Sequence, residues 1–472
     1  MSLPRLIATL ALAAVLCGGC TLFAAFAANP PCDDNGDCDA GRVCVAKFCV
    51  ERGPAGEGEG EEGEGEGEGE GEGEEGEGEG EGEGEGEEGE GEGEGEGEGE
   101  GEGEGEPPPT MVVCAGGPVI AVPQWHDAAY ARRIPIGLCD GAATDASVAN
   151  LPVTVVLRAA NFEFANADAA GLDVIFVDQR SNPAGVLLPF ERSEFRNGYG
   201  LFFVRIGSFN PHDLGDGIWL YFDRASPPDR QNVPSTWTDF NGVWHFDDEA
   251  DTGREARGAA PTDVGGSTYW DDTAPLYGSL DLVGNGDSFM AGPPNGAQVD
   301  TGSVSFMVGP NSVGGFSSGT AHVIVLDRWE GYAGFGNRTM HVTLQDGSRV
   351  GVSRPTNNTA DYLLLSAAGS VPNSSFSVVT ATWTSSRLEL YVNGASVGGV
   401  DHTAAPLLDD NEPATFAAAQ VRMGIASSGD FNLQARLDEV RLSTTARSAA
   451  FVRAEARAHL EQLLQFGTVL QR

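Results

Sequence analysis

The chain has 472 residues, with 71 acidic against 27 basic side chains and a formal net charge of −44. Its length leaves room for two or three domains. A near-pure Gly-Glu tract, Gly56 to Glu106, supplies 27 of the acids, leaving 44 acidic against 27 basic side chains elsewhere. No basic patch has the density that phosphate backbones demand, which argues against a nucleic-acid partner.

Residues 1–28 read as a signal peptide. Arg5 precedes the apolar run Leu6 to Leu16, too short to span a bilayer and suited to an export signal. Gly18-Gly19-Cys20 resembles a bacterial lipobox, which implies a lipid on Cys20, although Cys17 stands where that motif usually has Leu. Ala25-Phe26-Ala27 offers ordinary cleavage instead, and an uncleaved anchor is the third outcome. All three place the rest of the chain outside the cytoplasm, as a cell-surface lipoprotein or a secreted protein. Its only membrane contact is then an N-terminal anchor.

Residues 29–52 form a small Cys-rich module. Cys32, Cys38, Cys44 and Cys49 are closely spaced in an exported chain and read as two disulfides. Of three connectivities, Cys32–Cys44 with Cys38–Cys49 is expected. The segment CDDNGDCDAGRVCVAKFC resembles small modules of secreted bacterial proteins. Asp33, Asn35, Asp37 and Asp39 alternate as calcium-loop ligands do, but the loop's Gly and closing Glu are missing, so a solvated acidic loop is expected. Zinc is disfavoured, because no His is near.

Residues 53–110 are a linker. Glycine favours coil and the glutamates repel, so the tract is expected to be disordered and extended, about 40 Å end to end or more. It reads as a hydrophilic stalk, with a calcium-loaded polyacid as the alternative. Pro107-Pro108-Pro109 closes it with a stiff step.

Residues 111–236 read as a β domain. PVTVVLRA, LDVIFVD, GLFFVRIGSF and GDGIWLYFD are β-branched and aromatic runs bounded by turn residues, predicting a sandwich. Cys114 and Cys139 are expected to join. The segment WHDAAYARRIPIGL, with Trp125, Tyr130, Arg132 and Ile134, resembles the opening of domain-of-unknown-function family 2341. LDVIFVDQRSNPAGVLLPFE and GDGIWLYFDRASPPD resemble later blocks of that family, though its usual Gly-Asn is absent. The resemblance implies architecture and no chemistry.

Residues 237–447 read as a second sandwich. Asp346-Gly347 and Asn393-Gly394 signal hairpins, and Leu388, Leu390 and Val392 alternate with polar neighbours. TATWTSSRLELYVNGASVGG and ARLDEVRLSTTARSAAFVRAEA resemble the central hairpin and last strand of concanavalin A-like, laminin G-like domains. The whole is therefore expected to be all-β: two sandwiches, the second a concanavalin A-like jelly roll, with a short C-terminal helix. Along the last strand the apolar phase slips at Asp438-Glu439, which predicts a bulge. The resemblance implies a structural calcium, for which Asp438 and Asp247 are the candidates; a solvated acid pair is the plainer reading. Residues 448–472 are the helix and tail: Ser448 can cap a helix to about Gln465, stopped by Gly467 and frayed at its end.

Catalytic signatures are missing. Gly315-Phe316-Ser317-Ser318-Gly319 lacks the strand-then-helix context of a nucleophile elbow, and no E-x-D-x-(x)-E strand is present. His245 beside Trp244 reads as a packed strand-end histidine. Trp270, Trp329 and Tyr332 lie in polar, Gly-rich surroundings and are candidates to stack on sugar rings, with core packing or loop pinning as the plainer reading. The expectation is a non-catalytic binding or adhesion protein for a glycan or surface protein. The alternatives are a glycan hydrolase with an unrecognised site and a purely structural envelope protein.

Overall fold

The computed structural model describes residues 42–45, 48–51, 110–140, 146–247, 255–256, 261–265, 268–282, 288–291, 301–310, 320–328, 338–345, 348–354, 362–373, 375–401, 419–424 and 434–472. The chain divides into two units, the first of them residues 1–100. Within it β1 (Arg42–Val45) pairs with β2 (Phe48–Glu51), and the register sets the backbone of Cys44 opposite that of Cys49. The expected connectivity places these two cysteines in different disulfides. Cys20, Cys32, Cys38 and the Gly-Glu tract lie outside the described residues.

Residues 101–472 form the second unit. A hairpin of β3 (Thr110–Val112) and β4 (Val119–Ala121) leads in. Then come β5 (Arg132–Leu138), β6 (Val148–Arg158), β7 (Ile175–Asp178), β8 (Val186–Leu187), β9 (Phe190–Arg196), β10 (Tyr199–Phe209) and β11 (Gly217–Phe222). They make two sheets, β6-β10-β9 and a larger one containing β5-β11-β7-β8. Residues 153–157 of β6 and 201–204 of β10 are buried without alternation. A strand read this way is covered on both faces. Phe202 packs edge-on to Phe176 of β7, while Phe203 points the other way, onto Trp237 and His245.

Cys114 and Cys139 are bonded, with Cα atoms 5.5 Å apart. The link ties the lead-in hairpin to the end of β5. Replacing both by Ser is expected to lower unfolding stability by about 3 kcal/mol, measured by urea titration. A midpoint that stays put would show that the hairpin is held by other contacts.

A single helical turn, α1 (Val233–Thr236), leads to the second sandwich. Its strands are β12 (Gly242–Trp244), β13 (Pro261–Gly265), β14 (Thr268–Ala274), β15 (Tyr277–Leu282), β16 (Ser288–Ala291), β17 (Gly302–Pro310), β18 (Thr320–Arg328), β19 (Arg338–Gln345), β20 (Arg349–Arg354), β21 (Tyr362–Leu365), β22 (Ser377–Trp383), β23 (Arg387–Val392), β24 (Ala395–Asp401), β25 (Ala419–Met423) and β26 (Ala435–Ser443). One sheet runs β14-β15-β26-β17-β22-β23-β24, with β12 beside β26; the other runs β13-β16-β25-β18-β19-β20-β21. Val304, Phe306 and Val308 of β17 meet Val342, Leu344, Val350 and Val352 in the core between them. Asn393 and Gly394, both at positive φ, turn β23 into β24 as their dipeptide signals.

The first of these sheets is buried on its outer face too. Met307 and Val378 belong to the core of the first sandwich rather than the second. The cover is the β6-β10-β9 sheet together with the helix α2 (Ala449–His459). The Ser448 hydroxyl accepts the Phe451 N–H at 3.3 Å, so the helix starts where its cap signal lies. It ends at His459, short of Gln465, and Glu461 turns the chain through a φ of +56°. The tail then forms β27 (Leu464–Phe466) and β28 (Leu470–Gln471), both paired with β5. A helix cannot extend where the backbone is claimed by a sheet edge more than 300 residues earlier in the chain.

Candidate functional site

The slip in apolar phase at Asp438-Glu439 is a bulge. On β26 two residues, Glu439 and Val440, stand opposite the single Phe306 of β17, and Glu439 has a φ of +51°. The extra residue keeps Leu437 and Val440 both in the sandwich core. It also turns Glu439 toward the first sandwich. A second bulge faces it, at Ser193 on β9, which sequence patterning does not reveal.

Between the bulges lies His245. It follows β12, where Trp244 and Phe246 enter the second core and His245 takes the opposite side. Its Nδ1 lies 2.8 Å from Glu439 Oε1 and its Nε2 lies 3.2 Å from Glu191 Oε2, so carboxylates from the two sandwiches hold the two ring nitrogens. The ring stacks on Phe203, with centroids 4.3 Å apart. Burial alone would strip the imidazole of its proton, but Glu439 and Glu191 outweigh that and raise its pKa well above the ordinary value. Charged, it donates from both nitrogens. The Trp237 indole N–H also donates to Glu191, and the Ser193 hydroxyl to Asp247.

Arg441 extends the network. Its guanidinium donates to Glu439 at 2.8 Å and to Glu455 of α2 at 3.0 Å, beneath the Trp237 ring. Against the cost of burial, His245 and Arg441 hold Glu439 down at about 2. Asp438 is the exception. Burial and then the neighbouring Glu439 charge push its carboxyl well above the usual range, and its Oδ2 has no hydrogen-bond partner. Asp247 is raised as well, first by burial. His459, at the end of α2, is held well below its ordinary value by burial and then Arg441, with Nδ1 2.9 Å from Thr154 Oγ1.

The candidate calcium pair therefore sits in one cluster, but as a donor set it does not fit the ion. Calcium takes six to eight oxygens. Asp438 offers one unpartnered oxygen, Asp247 is engaged by Ser193, and the cation beside them is the imidazolium. Among the described residues no group of three His, Cys, Asp or Glu side chains is placed to hold a metal. Apart from atoms such as Asp438 Oδ2, the cluster's polar groups bond to one another across the two sandwiches and clamp them together. Sequence reading singled out Asp438, Asp247 and His245 and missed Glu191, Arg441 and Glu455. Glu439 and Arg441 share one strand phase within LDEVRLS, and that pairing was the available signal.

Trp270 sits in β14 opposite the core residue Leu280, and its indole N–H donates to the Phe246 carbonyl at 2.9 Å. That bond ties the half-buried ring to the edge of the sandwich. Trp329, Tyr332 and the Gly315–Gly319 segment lie outside the described residues. Among the described residues no helix is long and apolar enough to cross a membrane.

Residues 284–453 match a laminin G family model described as the concanavalin A-like lectin/glucanases superfamily. The match begins after β12–β15, which already belong to its larger sheet, and leaves the family 2341 resemblance of residues 111–236 resting on sequence alone. No curated protein matches the chain in sequence. Among solved structures, the receptor binding domain of botulinum neurotoxin C/D mosaic serotype matches at 13% identity and a TM-score of 0.36, over 47% of this chain and 51% of that one. The botulinum neurotoxin serotype D ligand binding domain in complex with N-acetylneuraminic acid matches at 14% and 0.35, over 47% and 52%. Domain 4 of AbnA, a GH43 extracellular arabinanase from Geobacillus stearothermophilus, in complex with arabinotriose, matches at 14% and 0.34, over 46% and 98%. The chain thus spans about half the length of the neurotoxin domains. TM-scores this low carry no function across. What the family match and the strand architecture establish together is that residues 284–453 form a concanavalin A-like, laminin G-like domain.

Proposed function

We propose that the protein is a non-catalytic, extracytoplasmic binding protein that presents its concanavalin A-like sandwich to a glycan or another cell-surface ligand. The observation that carries this is the asymmetry of the sandwich. One sheet has its outer face closed by the first sandwich and α2, so ligand contact falls to the other. There, three cross-strand pairs of β19 and β20 point away from the core: His341 with Ser353, Thr343 with Gly351, and Gln345 with Arg349. They alternate with the core residues Val342, Leu344, Val350 and Val352. Gly351 leaves room for its neighbours, since a Cβ there would meet Thr343 Oγ1 at 3.0 Å and Gln345 Nε2 at 3.1 Å. On that face His341 and Thr343 are buried and Gln345, Arg349 and Ser353 are half-buried, so the amide, guanidinium and hydroxyl of these last three are the groups that the hydroxyls of a sugar can reach. The export signal read from residues 1–28, with either a lipid on Cys20 or free secretion, and the Gly-Glu stalk supply the location and the reach.

The full-length secreted chain on a glycan array is expected to bind a restricted set of glycans. Gln345→Ala is expected to weaken the best of them roughly tenfold, the worth of one or two hydrogen bonds. Silence across the array would leave the structural envelope reading, and release of new reducing ends from a bound glycan would make the protein a hydrolase.

A further inference from the structure

The tail that closes the first sandwich is built like a ligand. Residues 463–472 run along the whole of β5, with Leu464 opposite Leu138, Phe466 opposite Ile136 and Leu470 opposite Arg133. Hydrogen bonds continue past the strands. Cys139 N–H donates to the Leu463 carbonyl at 2.7 Å, Gly467 N–H to the Pro135 carbonyl at 2.9 Å and Arg472 N–H to the Ala131 carbonyl at 3.1 Å. Side chains add register: Gln465 Oε1 accepts the Ala115 N–H at 2.9 Å and the Arg472 guanidinium donates to the Ala128 carbonyl at 2.7 Å. Leu463 is fully buried, and Leu464, Phe466, Val469 and Leu470 pack on the first core.

The break between β27 and β28 has a cause. Pro135 has no N–H to give, so a continuous ladder is impossible at that point. The tail crosses it with Gly467, where a Cβ would meet Pro135 Cγ at 2.6 Å. The edge of β5 therefore specifies its occupant: an extended segment with apolar residues at alternate positions, then a glycine facing Pro135, then a second short strand. The covalent link to α2 is a turn at Glu461 and Gln462, both exposed.

We infer that β5 is a strand-accepting site, whose ligand class is an extended peptide of this pattern and whose resident ligand is the chain's own segment 463–472. Recognition is by β-augmentation: main-chain hydrogen bonds hold the peptide and the glycine selects it. The site is independent of the proposed glycan patch, which lies on the other sandwich.

The test uses the full chain with a protease site inserted between Glu461 and Gln462. After cleavage of the folded protein, the nicked chain is expected to keep its tail through gel filtration. Refolded from urea with excess fluorescent peptide of sequence 462–472, it should incorporate the label in proportion to the excess. A Gly467→Val peptide should compete roughly tenfold more weakly, because the overlap with Pro135 forces the backbone away. A scrambled peptide that competes as well as the native one, or a refolded chain that never takes up label, would overturn the inference. If the nicked chain does not refold, hydrogen exchange on intact Gly467→Val decides. Faster exchange confined to β5 and the tail supports the site, and unchanged protection along β5 overturns it.

Discussion

Arg441→Met is expected to cost about 3–5 kcal/mol of unfolding stability, the largest loss of any single substitution in the cluster. The guanidinium is fully buried between Glu439 and Glu455, and methionine fills much of its volume without its charge. Removing the arginine takes from Glu455 its hydrogen-bonded cation, leaving only the more distant charge of Arg447, and leaves Glu439 hydrogen-bonded to His245. Two carboxylates then remain in a dry interface, and that uncompensated charge is the source of the loss rather than the strength of the original pairs. Arg441→Met combined with Glu455→Gln should therefore recover a large part of it, a non-additivity that independent sites would not show. Urea unfolding followed by near-ultraviolet circular dichroism reads the change, because Trp237 lies against the guanidinium. A loss below about 1 kcal/mol, in the range of an exposed ion pair, would mean that water reaches the cluster.

Much of this architecture is legible in the sequence, because it is local. The hairpin at Asn393-Gly394, the cap at Ser448 and the Cys114–Cys139 link each depend on a few neighbouring residues or a compartment. The bulge at Asp438-Glu439 is legible as well, since β periodicity of two makes any slip in phase visible. The clamp is not. Glu191 and His245 meet across the two sandwiches, and nothing in FERSEF marks its acid as buried. The tail misleads more actively. EQLLQ holds enough Leu and Gln to read as the fraying end of a helix, but β5 offers the chain a ladder from Leu464 on, and tertiary pairing overrides weak propensity. Trp270 has the polar, Gly-rich neighbourhood of a binding loop, and Gly278 is part of it because the backbone of Phe246 and Asp247 comes close there: a Cβ would meet the Phe246 carbonyl first, then Asp247 Cα at 2.6 Å and Trp270 Nε1 at 2.8 Å.

Asp438→Asn is expected to stabilise the protein by about 1–2 kcal/mol at pH 8, an unusual result for a fully buried position. Asp438 Oδ1 accepts the Glu439 N–H at 2.7 Å, and an asparagine carbonyl can keep that bond. The partnerless Oδ2 becomes an NH2, a donor set among acids rather than another acceptor. The pH course follows from the direction of each shift. Asp438 is raised well above its ordinary value, so it costs nothing below about pH 4 and progressively destabilises the fold as pH climbs to the raised value. His245 is also raised, so its contribution is complete below about pH 6.5 and disappears as pH rises through its folded value. Both make the wild type weaken as pH rises. Glu439, lowered to about 2, gives its share only above its ordinary range and loses it as pH falls toward 2. His459, held down, favours folding most above about pH 6.5 and loses that advantage as pH falls through the lowered value. The asparagine removes only the first of these, so the gain over wild type should grow from about pH 4 upward while the His245 slope remains. Melting curves at stepped pH, with calcium and with chelator, measure it. A variant that melts lower than wild type only when calcium is present would show that Asp438 holds an ion after all, because a lost ligand lowers stability by mass action and a lost buried charge does the reverse.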